Sequence, residues 1–197
     1  MKIIIDARLY GLENAGLGRY AMNLIKHLAI LDHKNEYLII LRKKYFNQLN
    51  FPSNFHQILF DFRHYSFREQ IYLPRLLHKY KADLIHFPHF NVPIFFRGKF
   101  IVTIHDMLMH QYRGLESSTL TPPLYLAKRV AYNVVFNHAV KNSSKIIVPS
   151  NYIKQELLRS YKIPQDKVKV SYEGINGIYV NEINNDEILK KYKIDGP

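Results

Sequence analysis

A histidine and an aspartate, His105 and Asp106, close the segment 99–106, in which most of the preceding residues are apolar. A short apolar run of this kind predicts a buried strand over residues 99–105. In open α/β sheets, ligands bind outside the carboxyl ends of the strands. The pair is therefore predicted to lie where a strand meets solvent, and an imidazole there can donate or accept hydrogen bonds during a reaction.

A glycine-rich loop is predicted to reach the same edge. The first strand, residues 2–6, leads into a loop that ends with Gly16, Gly18 and Arg19, and a helical pattern starts directly afterwards. Small residues let backbone N–H groups approach a phosphate at the positive end of a helix. The alternative is a tight strand-to-helix turn that binds no ligand.

Two further histidines, His86 and His89, lie at the end of the predicted strand 83–87. A histidine on an apolar strand can also be a core residue with satisfied hydrogen bonds, and this alternative applies to His105 as well. Because polar groups from two strand ends and the glycine loop converge, we favour a functional role for His105. The histidines lack the helical His-x-x-x-His spacing of many zinc sites, so no metal is expected.

A basic and aromatic segment covers residues 63–81. Its cations include Arg63, Arg68, Arg75, Lys79 and Lys81. Such a helix and its entry loop suit an anionic lipid surface or a phosphorylated acceptor. The alternative is an ordinary solvated helix face. Nucleic acid is not an expected partner, since no recognisable nucleic-acid motif accompanies the charge.

The composition limits the class of protein. The chain has 197 residues, 47% of them hydrophobic and 14% aromatic, which suits one α/β domain with a substantial core. It contains no cysteine, so disulfides and thiolate metal sites are excluded and a reducing compartment is expected. The net charge of +12 indicates an anionic partner. No apolar stretch approaches the ~20 residues of a transmembrane helix and no signal peptide is recognisable, so we expect a cytoplasmic protein.

Short apolar runs alternate with helical patterns, as in a parallel βαβ sheet. Strands are predicted at 2–6, 36–41, 56–60, 83–87, 99–105, 144–149 and 167–172. Helices are predicted after the glycine loop, over 66–80 with a break or kink near Pro74, over 122–142, and from an N-cap at Ser150. In the helix over 122–142, the residues predicted to face inward are Leu124, Ala127, Ala131, Val134 and Val135. The predicted fold class is α/β, a Rossmann-like open sheet of about seven strands, mainly parallel and twisted, with helices on both faces.

The carboxyl-terminal residues 181–197 differ from the rest of the chain. A loop and a short polar helix are predicted there, followed by Asp195-Gly-Pro197, which is a turn signal. We expect a Rossmann-like domain over residues 1–180 and a linker over 181–197 that leads toward a second domain.

A dinucleotide-binding function stays open from these residues alone. The glycine loop lacks the third glycine of Gly-x-Gly-x-x-Gly, since Ala21 occupies that position. The second predicted strand is followed by Arg42, Lys43 and Lys44 instead of an acidic residue, which disfavours NAD and leaves NADP. An NADP-type Rossmann oxidoreductase or epimerase is therefore one alternative, and a non-catalytic domain that binds a membrane surface is another.

Several motifs follow one another along the chain. They are Asp6-Ala-Arg8 with Gly16-Leu-Gly-Arg-Tyr20, Asp83-Leu-Ile-His-Phe-Pro88, Val102-Thr-Ile-His-Asp106, Ile147-Val-Pro-Ser150 and Lys167-Val-Lys-Val-Ser-Tyr-Glu-Gly-Ile175. In this order they resemble the amino-terminal half of a GT-B glycosyltransferase of family 4, a retaining group. The similarity covers nearly the whole chain and is greatest to the mannosyl- and related transferases that build bacterial polysaccharides.

This resemblance implies one half of a GT-B fold, in which residues 1–180 hold the acceptor and a second domain grips the nucleotide sugar. It implies that the catalytic residue is His105, facing the donor sugar, and that Gly16 and Gly18 lie against the donor diphosphate. The implied acceptor contacts are Asp106, His89 and Arg68. No metal or other cofactor is implied.

The implied reaction moves a hexose such as mannose from a nucleotide sugar to a lipid-linked or saccharide acceptor in polysaccharide or cell-envelope synthesis. Membrane-bound acceptors would require a peripheral enzyme at the inner face of the membrane, and the predicted membrane-facing residues are Arg63, Arg75, Lys79 and Lys81. Because donor and acceptor are held by different domains that must close together, the 197 residues alone are expected to be inactive.

Overall fold

The computed structural model describes residues 1–111, 121–174 and 185–193. Within these ranges the chain forms seven strands, β1 to β7, and six α-helices, α1 to α6. The strands are β1 Lys2–Asp6, β2 Glu36–Leu41, β3 Phe55–Leu59, β4 Leu84–Phe87, β5 Phe100–Thr103, β6 Lys145–Val148 and β7 Val168–Val170. The helices are α1 Ala15–Leu31, α2 Phe67–Tyr80, α3 Leu108–Gln111, α4 Pro122–Asn142, α5 Asn151–Ser160 and α6 Asn185–Tyr192.

All seven strands form one parallel sheet in the order β3-β2-β1-β4-β5-β6-β7. Ile5 of β1 lies between Ile39 of β2 and His86 of β4, and Thr103 of β5 lies beside Ile147 of β6. The strand order reverses between β1 and β4, and in such sheets a crevice opens at the carboxyl edge beside the reversal. The predicted Rossmann-like sheet is confirmed, and its strand ends agree with the prediction within two residues.

Side chains alternate along each strand, so the sheet has a core on each face. On one face, Ile4, Phe87 and Val102 pack with apolar residues of α2, α4 and α5. On the other face, Ile5 packs with Ile25 of α1. Helices therefore cover both faces, as predicted.

Helix α1 begins earlier than predicted. It starts at Ala15, after a 3-10 turn at Leu12–Asn14, so Gly16 and Gly18 lie in its first turn and not in a loop before it. Gly18 is buried, and a Cβ atom there would overlap the carbonyl oxygen of Gly11. Gly11 has a φ of +117°, which glycine adopts without strain. The glycines thus permit close packing of the loop at Gly11 against the first turn of α1. The sequence pattern does not show whether such glycines lie in the helix or in a loop before it.

Helix α2 is bounded close to its predicted limits. The Ser66 hydroxyl accepts a hydrogen bond of 3.2 Å from the backbone N–H of Glu69 and caps the helix. Lys81 ends it in a left-handed conformation with a φ of +47°. Pro74 lies inside the helix, which continues beyond it. Of the predicted break or kink, the break is absent, because proline removes one backbone hydrogen bond while packing of the apolar face stabilises the rest. A kink at Pro74 stays a prediction.

The first half of α4 departs from the prediction. Leu124 and Val134 are 48% and 46% exposed, Ala127 and Ala131 are exposed as well, and Val135 is half-buried. The buried residues of the helix lie near its end and are Phe136, His138, Ala139 and Val140. The predicted inward face is wrong because apolar residues occur around the whole helix in its first half and therefore select no single side.

Of the last two helices, α5 precedes the predicted carboxyl-terminal linker and α6 lies within it. Helix α5 begins as predicted, since the Ser150 hydroxyl accepts a hydrogen bond of 3.2 Å from the backbone N–H of Ile153. Helix α6 forms within the predicted linker, whose remaining residues apart from Lys193 lie outside the described ranges, so the linker stays a prediction. Among the helices that the structure describes, none is long and apolar enough to cross a membrane.

Candidate active site

His105 lies two residues beyond β5, at the carboxyl edge of the sheet, with a side chain that is 15% exposed. Its Nε2 atom is 2.9 Å from the carbonyl oxygen of Pro88, which follows β4. Its Nδ1 atom is 3.0 Å from Oε1 of Glu173, which lies after β7. Residues that follow three different strands therefore meet at one imidazole, where the sequence predicted a strand end to meet solvent.

The hydrogen-bond partners define where protons lie on the His105 ring. The Pro88 carbonyl can only accept, so Nε2 carries a proton and donates it. An ionised Glu173 carboxylate also only accepts, so the contact at Nδ1 is a hydrogen bond, and an ion pair, only when that nitrogen carries a proton as well. The Glu173 side chain is 49% exposed. A ligand group can therefore replace it beside His105 without moving a buried residue.

A chain of polar groups lies beneath His105. Nε2 of His86 is 2.9 Å from the Thr103 hydroxyl, which is 3.2 Å from the Tyr20 hydroxyl. The Tyr20 ring meets the His105 ring edge to face, with centroids 4.7 Å apart. Burial, with a smaller effect of His105, lowers the pKa of His86 to about 4, so its ring is neutral near pH 7. Helix α1 is thereby attached to the end of β5.

The two glycines in the first turn of α1 differ in their exposure to solvent. Gly16 is exposed, and a Cβ atom added there would meet no atom within 4 Å. Gly18 is buried against Gly11. A ligand can therefore approach the backbone at Gly16, whereas Gly18 is required for packing.

A second polar cluster lies at the end of β1 and is buried. The Arg8 guanidinium donates two hydrogen bonds of 2.7 and 2.6 Å to Asp6 and one of 2.6 Å to Glu69. Glu69 also accepts hydrogen bonds from the Asn91 amide at 2.8 Å and from the backbone N–H of Tyr65 at 2.7 Å. Nη1 of Arg8 and Oδ1 of Asn91 have no partner within the described ranges. The cluster links β1, α2 and the loop after β4.

Burial and ion pairing together determine the charges in this cluster. Burial raises the pKa of Asp6, but the guanidinium of Arg8 outweighs it, so the pKa is lowered. Burial raises the pKa of Glu69, and Arg8 opposes this effect. Burial lowers the pKa of His64 to about 3, and the Arg8 cation contributes to the shift. His64 is therefore neutral at pH 7, and Arg8 supplies the positive charge.

A small cavity separates the two clusters. It is lined by Asp6, Leu9, Leu17, His64, Phe87, Pro88, His89 and Asn91. Its volume of about 10 Å³ corresponds to roughly one water molecule. A sugar is far larger, so this cavity cannot hold one.

Comparison with known families assigns the chain. The family model Glycosyltransferase Family 4 matches residues 14–176, which is more than half of the chain. The chain belongs to glycosyltransferase family 4. The resemblance inferred from the motifs is confirmed, and family membership argues against the oxidoreductase alternative.

One curated protein and two solved structures are similar to the chain. The O-antigen chain mannosyltransferase B of Escherichia coli is 25% identical over 215 residues, which cover 98% of this chain and 53% of that protein. The structure of WaaG, a glycosyltransferase involved in lipopolysaccharide biosynthesis, is 13% identical with a TM-score of 0.61, covering 99% of this chain and 52% of WaaG. The structure of a glycosyltransferase from Rickettsia africae ESF-5 is 19% identical with a TM-score of 0.49, and the match covers 99% of this chain and 50% of that one. The chain therefore spans about half the length of these proteins, and the likeness to WaaG shows the fold alone.

The predicted acceptor contacts of this family 4 chain lie in different environments. His89 is half-buried, and burial, with a smaller effect of His105, lowers its pKa to about 4. Asp106 is exposed, and its Oδ1 accepts a hydrogen bond of 3.0 Å from the backbone N–H of Leu108. Arg68 is exposed in the first turn of α2. The structure thus brings His89 and Asp106 to the His105 edge and leaves Arg68 on the helix surface.

A row of exposed cations runs along α2 and its flanking residues. We name it the basic face of α2, and it consists of Arg63, Arg68, Arg75, Lys79 and Lys81. The aromatic side chains of Phe67 and Tyr72 are exposed beside them. Glu69, the acid of this segment, is buried and paired with Arg8, so it does not reduce the charge of the surface. The predicted membrane-facing residues are therefore all accessible.

Sequence reasoning missed several residues of both clusters. The spacing of Asp6 and Arg8 places them on the same side of an extended segment, which was a usable signal for a pair. The Ser66-x-x-Glu69 pattern indicates a helix start and says nothing of an ion pair with Arg8. The contact of His105 with Glu173 spans 68 residues, so no local pattern indicates it. Across the described ranges, no group of three or more metal-binding side chains occurs.

Proposed function

We propose that this chain is the acceptor-side half of a retaining glycosyltransferase, which moves a hexose such as mannose from a nucleotide sugar to a lipid-linked or saccharide acceptor in polysaccharide or cell-envelope synthesis. Family membership supports the reaction class, and the mannosyltransferase relative supports the choice of sugar. The observation that carries the proposal is the position of His105, where residues after three strands meet beside the first helix.

The donor diphosphate lies against the amino terminus of α1 in this proposal. When the nucleoside diphosphate departs, negative charge grows on the phosphate, and a helix amino terminus stabilises it. Gly16 permits close approach because an added Cβ there would meet no other atom. Gly18 contributes indirectly, since its packing on Gly11 holds the loop that leads into the helix.

His105 contacts a hydroxyl of the donor sugar near the reacting carbon. Both ring nitrogens already bind protein acceptors, so one partner has to be exchanged. Pro88 is buried and Glu173 is half exposed, so the sugar hydroxyl replaces Glu173 at Nδ1. The bond from Nε2 to Pro88 and the edge of the Tyr20 ring keep the imidazole oriented during this exchange.

The acceptor is held beside His105 by His89 and Asp106, with Arg68 at the outer rim. One oxygen of Asp106 binds the Leu108 N–H, which leaves the other to accept a hydrogen bond from an acceptor hydroxyl. His89 is neutral near pH 7 and can both donate to and accept from hydroxyl groups. The proposed chemistry uses no metal ion and no cofactor besides the nucleotide sugar.

A lipid-linked acceptor requires the enzyme to reach a membrane, and the basic face of α2 supplies the attachment. Each Lys or Arg near an anionic bilayer contributes about 1 kcal/mol, and exposed aromatic rings such as Phe67 settle at the interface. We therefore place the enzyme at the cytoplasmic face of the membrane as a peripheral protein.

The transferase proposal is tested by comparing the 197-residue chain with a longer protein in which a donor domain of the family follows it. With a panel of nucleotide sugars and a lipid-linked acceptor, we expect transfer by the longer protein alone. In that protein His105→Ala should lower turnover at least tenfold with an unchanged melting temperature. His56→Ala, at an exposed histidine of β3, is the matched control. Sugar transfer by the 197 residues, or full turnover of the His105 variant, would contradict the proposal.

Membrane attachment is tested by co-sedimentation with vesicles. The triple variant Arg68→Glu, Arg75→Glu, Lys79→Glu should lose binding to anionic vesicles, whereas the charge-matched Lys162→Glu, Lys169→Glu, Lys190→Glu should keep it. Wild-type binding should fall as salt rises, because the Debye length shrinks from about 10 Å at 0.1 M to about 3 Å at 1 M. Equal sedimentation of the two variants would show that the basic face of α2 is an ordinary solvated surface with no role in membrane binding.

A further inference from the structure

A second opening lies on the same edge of the sheet, at the carboxyl ends of β1, β2 and β3. We name it the basic cavity; its volume is about 440 Å³, and it is lined by Arg8, Tyr10, Glu13, Asn14, Arg42, Lys43, Lys44, Tyr45 and Asp61. Strand β2 is three positions from β5, and strands lie about 4.8 Å apart, so the cavity is roughly 14 Å from the strand before His105. It is separate from His105 and its partners but opens on the same side of the domain.

Three consecutive cations from the end of β2 form one wall of the basic cavity. Arg42 is 3.2 Å from Asp61. Lys44 is 2.9 Å from Glu13. Both pairs are partly exposed, and such pairs contribute little to stability, so a stronger anion can displace the carboxylates. No carboxylate of the described ranges lies within ion-pair distance of Lys43. The wall therefore offers positive charge to a ligand.

Arg8 links the basic cavity to the buried cluster. It lines the cavity, is 1% exposed, and uses Nε and Nη2 to bind Asp6 and Glu69. Its Nη1 group is buried and has no partner in the described part of the chain. Buried N–H donors in native proteins are nearly always satisfied by a partner, by water or by a ligand.

The chemistry of the cavity favours a phosphate group. A phosphate ester offers several acceptor oxygens at once, and arginine with lysine neighbours binds such groups through short charge-assisted hydrogen bonds. The rings of Tyr10 and Tyr45, whose centroids are 5.1 Å apart, add an amphipathic wall suited to the carbon atoms that carry the phosphate. A neutral sugar would leave Lys43 without an anionic partner.

We propose that the basic cavity binds a phosphate or diphosphate group carried by the acceptor. This inference rests on the proposed transferase function, and it adds that the acceptor is a phosphate ester whose reacting hydroxyl lies roughly 14 Å away, beside His105. That span corresponds to an acceptor longer than a single sugar. The phosphate can belong to a lipid-linked diphosphate or to a phosphorylated saccharide, and both sources share this recognition chemistry.

The proposal is tested on the 197-residue chain by calorimetric titration at constant ionic strength. The probes are inorganic pyrophosphate, which represents a diphosphate linkage, glucose 6-phosphate, which represents a phosphorylated saccharide, and NADP. We expect pyrophosphate or glucose 6-phosphate to bind, and the tighter of the two identifies the source of the phosphate. Arg42→Ala with Lys43→Ala should weaken that binding at least tenfold. The charge-matched Lys162→Ala with Lys169→Ala, at exposed positions near β7, should change it less than twofold.

Three results would overturn the proposal. They are no binding of either phosphate probe to the wild type, equal weakening by the two double variants, and binding of NADP more than tenfold tighter than of either probe. Equal weakening would reflect net charge alone, and preference for NADP would assign the cavity to a dinucleotide. Binding is measured without sugar transfer. A failure of the phosphate-site proposal can therefore be told apart from a failure of the transferase proposal.

Discussion

The His105 and Arg8 clusters lie on the same edge of one sheet, yet they differ in how their charges are enclosed. Arg8 and Glu69 have side chains with no exposed surface, and the guanidinium binds two carboxylates. His105 has one buried partner, the Pro88 carbonyl, and one half-exposed partner, Glu173. A group that must exchange partners with a substrate keeps one partner near solvent, whereas a group that joins structural elements has all its partners buried.

This difference has energetic consequences. Removing one member of a buried ion pair leaves an uncompensated charge in a medium of low polarity, which is strongly destabilising. Losing an exposed partner costs little, because water replaces it. Mutations in the two clusters should therefore affect stability very differently.

The largest effect is expected for Arg8→Met, which leaves the Asp6 and Glu69 carboxylates buried without their cation. The free energy of unfolding should fall by about 3–5 kcal/mol, measured by urea denaturation at pH 7. Arg75→Met, on the exposed side of α2, is the control and should stay within about 0.5 kcal/mol. A loss below about 1 kcal/mol for Arg8→Met would show that water already reaches the cluster.

The glycines of α1 give the next largest effect. Gly18→Ala should destabilise the protein by about 1–3 kcal/mol, because its methyl group overlaps the Gly11 carbonyl. Gly16→Ala meets no atom and should stabilise the helix by up to about 1 kcal/mol, since alanine has the higher helix propensity. Thermal unfolding of both variants provides the measurement. Similar shifts for the two would mean that the loop and helix do not pack as described.

The dependence of stability on pH tests the buried histidines. Burial lowers the pKa of His86 to about 4 from an ordinary value of 6.5, so the unfolded chain takes up a proton in this interval and the native protein does not. Stability is therefore lost as pH falls from about 6.5 to about 4, by up to about 1.4 kcal/mol per pH unit for each such histidine. His86→Gln should reduce this slope in denaturation curves recorded across the interval. An unchanged slope would indicate that His86 is protonated in the folded protein.

The smallest effect on stability is expected for Glu173→Gln. The amide keeps the shape of the side chain but removes the charge of a half-exposed pair, so the free energy of unfolding should change by less than about 0.5 kcal/mol. The NMR signals of the His105 ring should nevertheless move, because Nδ1 loses an anionic partner. Destabilisation beyond about 1 kcal/mol would mean that Glu173 is a structural partner like those of Arg8.

Much of this architecture could be predicted from local sequence. The seven strands, the parallel sheet and the placement of His105 at its carboxyl edge follow from short apolar runs and the polar residues after them, which neighbours along the chain encode. The N-cap Ser150 was recognisable for the same reason, since a cap acts on the next turn.

What local sequence did not determine was which distant groups meet. The start of α1 depends on the fit of Gly18 against Gly11, and the buried side of α4 depends on where that helix crosses the sheet. The bonds from Arg8 to Glu69 and from His105 to Glu173 join residues 61 and 68 positions apart. The order of strands in the sheet decides which ends are neighbours, so these contacts, and with them the charges at both clusters, arise only in the tertiary structure.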